Sequence, residues 1–150
     1  MKRIFWPILC LLALCLPILA DGKRGEADAI EREVHALINR KRIASGKPPL
    51  AWNEAISKIA REHSADMASG RVRFGHGGFD SRSDKINAST GRITAIAENV
   101  AMASDAEEAV ALWWKSRGHK KNLLGSYGQT GIGAVKKGGS WYFTQIFIAR

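Results

Sequence analysis

Residues 131–148 have the sequence GIGAVKKGGSWYFTQIFI, and the architecture can be inferred from them. Residues 137–140, Lys-Gly-Gly-Ser, have the composition of a turn between two strands, so the stretch predicts a β-hairpin. Both alternating sets of side chains in the second strand are mostly apolar: Trp141, Phe143 and Phe147 in one, Tyr142, Ile146 and Ile148 in the other. A strand that is apolar on both faces must be covered on both faces. Helices are the only covers that the rest of the chain offers, so the economical architecture is a helix–sheet–helix sandwich.

Three amphipathic helices are predicted before the hairpin. The first runs from about Glu26 to Ala44, and the second from about Asn53 to Gly70. The third opens at a capping box in residues 104–107 and ends by Gly118. Residues 93–103 are largely apolar and are consistent with a short buried strand. Residues 71–92 are polar and glycine-rich, so they predict a loop with at most one short helical turn, of a length typical of functional or mobile segments.

The first twenty residues predict an export signal. Lys2 and Arg3 precede a stretch without charges that ends at Ala20. This stretch is short for a membrane span, which needs about 20 apolar residues, although an uncleaved anchor stays open as an alternative. We therefore expect a signal peptide at residues 1–20, one domain at residues 21–150 without a transmembrane segment, and a secreted or periplasmic location. Both cysteines, Cys10 and Cys15, lie in the leader, so the exported domain depends on its core and not on disulfides.

The exported part is basic, with 21 basic and 14 acidic residues and a formal charge of +7. A basic exported protein tends to approach anionic surfaces such as phospholipid headgroups or cell-wall polymers. The basic residues are scattered, with short clusters at Arg40–Arg42, Lys120–Lys121 and Lys136–Lys137. No ladder of alternating aromatic and basic residues is present, so no specific nucleic-acid site is expected. Solubility is the favoured role of the charge, ahead of a specific polyanion site.

Eight short segments, in order and spread over the mature chain, carry a family resemblance. They are Leu37–Arg42, Pro49–Asn53, Ala60–Ala68, Phe74–His76, Ala97–Val100, Trp114–Leu124, Gly131–Gly133 and Trp141–Phe147. Each segment alone is weak evidence for a family, but the order and spacing of all eight are specific to one. Together they resemble the CAP superfamily of cysteine-rich secretory proteins, antigen five and pathogenesis-related class one proteins, in its compact bacterial form.

The resemblance implies an α+β fold: a three-layer α-β-α sandwich with a small, mainly antiparallel sheet and a surface cavity. His76 resembles the first cavity histidine, Glu98 the glutamate of the family's Gly-Glu-Asn motif, and His119 the second histidine. Two positions depart from the pattern. Ala97 replaces the motif's glycine, and Ser116 stands where a second glutamate would fall, so the family's tetrad is reduced to a triad.

Two imidazoles and one carboxylate are a ligand set for Zn²⁺ that leaves a position for water, so His76, Glu98 and His119 are candidate metal ligands. The same trio without a metal is a structural polar cluster, and the residues alone do not choose between the two. No nucleophile motif accompanies the trio, so no catalytic residue is assigned and enzymatic turnover is less favoured than binding.

Three functions stay open. The first is a monomeric binding module for a lipid, a peptide, a cell-wall fragment or another cell-surface component. The second is a metal-dependent hydrolase built on His76, Glu98 and His119. The third is an extracellular interaction protein in which this cluster only braces the fold.

Five other side chains are interpreted structurally. His63 lies in register with apolar residues of the second helix and is expected to be a hydrogen-bonded core histidine, whereas His35 is expected at the solvated surface. Asn99 is expected to bond backbone. Trp113 and Trp114 cannot point the same way on a helix, so at least one of them should anchor the core.

Overall fold

The computed structural model describes residues 17–150, so Cys10, Cys15 and most of the expected signal peptide lie outside the described residues. The elements are, in chain order, α1 Pro17–Ala44, β1 Ala51–Trp52, α2 Glu54–Ser69, α3 Phe79–Thr90, β2 Ala95–Ala103, α4 Ala106–Lys115, α5 Arg117–Leu123, β3 Gln129–Lys137 and β4 Ser140–Ala149. The first helix therefore begins at Pro17, earlier than the Glu26 that periodicity indicated. None of the helices in the described range has the length and apolarity that crossing a membrane requires.

One four-stranded sheet lies at the centre, with strand order β1-β3-β4-β2. The predicted hairpin is β3–β4, which pairs antiparallel from Gln129↔Ile148 to Lys137↔Ser140. β2 pairs antiparallel with β4, and only the two-residue β1 is parallel to its neighbour. The expected α+β sandwich with a mainly antiparallel sheet is confirmed.

Helix α2 covers one face of the sheet. Asn53 caps its start by accepting a hydrogen bond from the Ile56 N–H, and Gly70 ends it with a φ of +78°. Its apolar side packs on the even-numbered side chains of β4, Ile146 and Ile148. The two helix-facing glycines of β3, Gly131 and Gly133, let α2 lie directly on the strand, because a Cβ at either position would overlap the α2 backbone.

Helices α1 and α4 cover the other face. The odd-numbered side chains of β4 join Val34, Ile38, Val110 and Trp113 in a second core, so the strand is covered on both faces as its sequence required. Trp113 is fully buried and its indole N–H donates to the Val100 carbonyl, whereas Trp114 is half-buried. The prediction that one tryptophan anchors the core is confirmed.

Two buried charged residues tie these layers together. Glu31 of α1 accepts three hydrogen bonds from Arg61 of α2, two of them from the shared Nε–H, and one from the backbone N–H of Ala134. Burial raises the pKa of Glu31, and Arg61 acts in the opposite direction. Arg42, at the end of α1, donates to the carbonyls of Leu123 and Gly125 and so fixes the segment between α5 and β3.

Three local predictions were wrong. The segment 71–92 is not a loop throughout, because residues 79–90 form the three-turn helix α3. The cap of α4 is shifted by one residue: Asp105 accepts from the Glu108 N–H, and Glu108 accepts from the Ser104 N–H. His35 is not a solvated side chain, since its Nε2 lies 2.9 Å from the Leu50 carbonyl and its ring packs edge-on against Trp52.

Candidate functional site

The candidate site lies where the edge strand β2 meets α5 and the loop before α3. Glu98 of β2 is the anchor, with only 1% of its side chain exposed, while the His76 side chain is 51% exposed. His76 Nδ1 lies 2.9 Å from Glu98 Oε1, and the His76 and His119 rings have centroids 6.5 Å apart. The structure therefore brings the three sequence-predicted residues into one neighbourhood.

Arg82 is the main residue that sequence reasoning missed. It is buried, and its Nε and Nη2 donate to the two oxygens of Glu98, each at 2.7 Å. Such a bidentate, charge-assisted pair is among the stronger hydrogen-bonded contacts in proteins. The signal was present in the sequence: Arg82 and Ile86, four residues apart, are the two buried residues of α3, but the glycine-rich surroundings indicated a loop.

A second missed contact runs from Arg82 to His63. Arg82 Nη1 lies 3.2 Å from His63 Nδ1, and His63 Nε2 lies 2.8 Å from the carbonyl oxygen of Gly75. A guanidinium can only donate, so Nδ1 must be the acceptor and Nε2 must carry the proton. His63 is therefore neutral, and burial lowers its pKa from the ordinary value, with the charge of Arg82 acting in the same direction. The prediction of a hydrogen-bonded core histidine is confirmed.

His63 and Arg82 hold the loop that carries His76 in place through hydrogen bonds to its backbone. His63 holds the Gly75 carbonyl, and Arg82 donates to the carbonyl of Gly77 at 2.7 Å. Gly75 has a φ of +140°, which a residue with a side chain rarely adopts. His76 is thus held in place by its neighbours in the chain, as well as by its own contact with Glu98.

The proton positions on His76 follow from the same reasoning. Because a carboxylate accepts, Nδ1–H donates to Glu98, and in the neutral ring Nε2 keeps its lone pair. Nε2 is then free to accept a hydrogen bond, or to bind a metal, at an exposed position. Burial lowers the pKa of His119, and the neighbouring His76 lowers it further.

Two asparagines place α5 and with it His119. Asn99 Nδ2 donates to the His119 carbonyl, and Asn122 Nδ2 donates to Asn99 Oδ1 at 2.9 Å. The expectation that Asn99 bonds backbone is confirmed. Ser116 is not a cavity residue: it caps α5, its Oγ lying 3.5 Å from the His119 N–H. Ala97 is regular strand paired with Phe147, so no special turn occurs there.

His76, Glu98 and Asn122 border an open groove of about 220 Å³, whereas His119 lies near His76 without lining the groove. The groove is lined by His76, Phe79, Ile96, Ala97, Glu98 and Asn122. One side of it is the free edge of β2, because β2 has a neighbour only in β4. Asn122 caps the outward carbonyl of Glu98, and Trp113 caps that of Val100. Backbone groups alternate in direction along an antiparallel strand, so Ile96 turns its N–H and C=O to this same free edge.

The residues present fit a bound metal poorly. Among residues 17–150, no group of three or more His, Cys, Asp or Glu side chains is arranged to hold a metal ion. The physical reason is Arg82, whose positive charge lies against both oxygens of the carboxylate that would bind the cation. Zinc binding by His76, Glu98 and His119 stays a prediction that this geometry does not favour.

Comparison with known proteins agrees with this fold. The model of the cysteine-rich secretory protein family (CAP) matches residues 35–147. The chain is 34% identical over 84% of its length to the uncharacterized protein YkwD of Bacillus subtilis, of which it covers 49%. An extracellular protein of Bacillus anthracis that contains an SCP domain has a crystal structure similar to this one, with a TM-score of 0.77 and 28% identity, covering 89% of this chain and 45% of that one.

A more distant neighbour shares the fold alone. An outer surface protein of Borrelia burgdorferi has a TM-score of 0.70 at 19% identity, over 79% of this chain and 91% of that one. The chain spans about half the length of the first two relatives. Because the family match covers three quarters of the sequence and the sandwich agrees with it, the chain belongs to the cysteine-rich secretory protein (CAP) family.

Proposed function

We propose that the chain is an extracellular binding domain whose groove takes one side-chain-sized group of an extended peptide or cell-wall peptide fragment. The volume of the groove supports a small occupant. At about 220 Å³ it lies below the roughly 300–1,000 Å³ typical of sites that enclose a drug-sized ligand, so a lipid chain or sterol would not be enclosed there. The structural neighbours include an extracellular protein and an outer surface protein, which supports a location outside the cytoplasm.

The uncapped part of the β2 edge, at Ile96, is the observation that carries the proposal. An extended peptide can add to an exposed sheet edge through main-chain hydrogen bonds, while pockets for alternate side chains give specificity. Ile96 offers its outward N–H and C=O beside the groove, and the exposed Nε2 of His76 offers an acceptor at the mouth. The apolar rings and methyl groups of Phe79 and Ile96 supply the floor for a side chain.

Binding is favoured over hydrolysis because of what Glu98 already does. Its Oε1 accepts from His76 and Arg82, and its Oε2 accepts from Arg82. A general base must be able to reach the proton that it removes. A carboxylate that is buried and held in this way is poorly placed to take a proton from water.

The test is an NMR titration of the purified protein with short extended peptides and soluble peptidoglycan stem peptides. We expect saturable shifts centred on residues 95–98 and His76. Ile96→Pro removes the outward N–H without removing a ladder bond and should abolish binding. Ile96→Ala is the matched control, since it loses a similar apolar contact but keeps the N–H. Equal binding by the two variants would contradict the use of the sheet edge.

The metal-dependent hydrolase is a second candidate, and the free Nε2 of His76 near His119 is what favours it. Calorimetry with Zn²⁺ on the protein and on a His76→Ala/His119→Ala variant tests it. Saturable binding that the double variant loses, followed by zinc-dependent turnover, would establish it in place of the binding module. If His76→Ala lowers stability and no ligand binds, His76, Glu98 and His119 only stabilise the fold, as the third hypothesis states.

A further inference from the structure

The positive charge of this protein is concentrated in two segments, residues 34–53 and 109–124. They contain eight basic and no acidic residues, whereas the rest of residues 21–150 contains 13 basic and 14 acidic residues. The formal charge of +7 therefore comes entirely from these two segments, and the remainder of the exported chain carries −1. The sequence alone presents them as separate clusters, but the fold brings them together.

Trp114 is the point where the two segments meet. It packs against the same core cluster as Leu37 of α1. The Lys41 Nζ lies 4.7 Å from the centroid of the indole, and the Lys120 Nζ of α5 lies 4.4 Å from it. Two ammonium groups from distant parts of the chain thus converge on one ring, where each gains a cation–π contact.

We call the surface around Trp114 the basic face. It is formed by the C-terminal turns of α1 and α4 and by α5, and its cations are Arg40, Lys41, Lys115, Arg117, Lys120 and Lys121. None of the six takes part in an ion pair within residues 24–150. The C-terminal ends of the two long helices each contribute about −0.5 of a charge, which offsets only a small part of the six.

We propose that the basic face binds a linear polymer that carries phosphate groups, at a site separate from the His76 groove. Convergent cations that take part in no ion pair among residues 24–150 attract a chain of regularly spaced anions. Only at the margin of the face, where Arg40 lies near Glu33, is an acidic side chain close to one of the six. A bilayer is the other large anionic partner, and it is favoured by aromatic side chains that insert between lipids. Trp114 is half-buried and covered by two ammonium groups, so it is not free to insert. Ile43 and Leu112 are exposed in the same two segments, and the vesicle measurement below tests whether they bind a bilayer.

Helix α5 links the two sites. The ring of His119 in α5 lies 6.5 Å from that of His76, which lines the groove, and Lys120, the next residue, reaches Trp114 on the basic face. A polymer held on the basic face would therefore keep the groove close to the anionic matrix from which it takes its ligand.

The expected loss of affinity can be calculated from the counterions that the polymer releases when it binds. For a flexible polyanion the slope of log K against log salt is about −0.7 for each phosphate contact. Loss of two contacts should therefore reduce the slope by about 1.4 and weaken binding by about 25-fold at 0.1 M salt, but only by about 5-fold at 0.3 M.

The test measures binding of inorganic polyphosphate to the purified protein over a range of salt concentrations. We expect Lys41→Gln/Lys120→Gln to show this loss and Lys41→Arg/Lys120→Arg to retain binding. Lys58→Gln/Lys137→Gln removes the same charge from exposed positions outside the face and should retain the wild-type slope.

Two results would overturn the proposal. The first is an equal loss in both glutamine variants, which would mean that net charge alone attracts the polymer. The second is binding to phosphatidylglycerol vesicles with no binding to polyphosphate, which would make the partner a bilayer. Intrinsic tryptophan fluorescence and urea unfolding of each variant separate a lost contact from a lost fold.

Discussion

Replacement of Arg82 by methionine tests the central geometry of the site. The substitution keeps the length and apolar stem of the side chain but removes the partner of Glu98, whose carboxylate is 1% exposed. Removal of one member of a buried ion pair costs about 3–5 kcal/mol, because the other charge is left buried without compensation. The lost hydrogen bonds to the Gly77 carbonyl and to His63 add about 0.5–1.5 kcal/mol each.

The expected total is about 4–8 kcal/mol, a large part of the roughly 5–15 kcal/mol by which most domains are stable. For a chain of this size, at about 2–4 °C for each kcal/mol, it lowers Tm by roughly 10–30 °C. Urea unfolding followed by circular dichroism measures the loss. Lys85→Met is the control on the same helix: its ion pair with Glu62 is exposed and 3.5 Å long, so the cost should be within about 0.5 kcal/mol.

The double variant Arg82→Met/Glu98→Gln decides whether charge is the cause. Because it removes both charges, its loss of unfolding free energy should be about 2–3 kcal/mol smaller than the sum of the losses of the two single variants, as expected for a coupled buried pair. If the two single losses simply add, within about 0.5 kcal/mol, the pair is not coupled and the reasoning is refuted. A loss below about 1 kcal/mol for Arg82→Met would refute it as well.

The free energy of unfolding should also fall as the pH drops below about 6.5. The pKa of His63 is lower in the folded than in the unfolded chain, so the unfolded chain binds more protons in this range. The free energy of unfolding then changes by up to about 1.4 kcal/mol per pH unit. His63→Gln should flatten this dependence in urea unfolding at about pH 7.5 and about pH 5.5, on either side of the unfolded pKa, and an unchanged slope would assign the effect to other groups. Gly133→Ala should cost about 1–3 kcal/mol or more, because the added methyl group meets the backbone of Arg61, whereas Gly128→Ala has open space and should be neutral or slightly stabilising. Thermal unfolding of the two glycine variants checks this, and equal Tm values would show that α2 does not lie so close to β3.

Local sequence was sufficient for the elements whose cause is local. The hairpin of residues 131–148 follows from its alternation and its glycine turn, and the demand for a layer on each face follows from β4 alone. The start of α2 follows from Asn53, since a cap acts over three residues. His76 and Glu98 were found because short motifs mark them, and the fold brings them within 2.9 Å.

Only the tertiary structure revealed Arg82 as the partner of Glu98. The two residues are 16 positions apart in different elements, and no helical or strand period connects them. The expected loop concealed α3, whose sparse apolar residues give a weak periodic signal because a buried charge occupies one inward position. Arg82 occupies both oxygens of Glu98, so this contact, together with that of His76, decides whether Glu98 is free to act on a ligand.

The basic face, like the contact between Arg82 and Glu98, is created by the tertiary structure. Residues 34–53 and 109–124 are ordinary basic segments when taken separately, and their charges sum on one surface only because α1, α4 and α5 pack together at Trp114. Local periodicity determines which side of each helix is buried, and hence the layers of this protein. The side chains that different layers bring together are determined by packing between segments far apart in the chain, because an ion pair or a cation–π contact depends on distance in space and not on sequence separation.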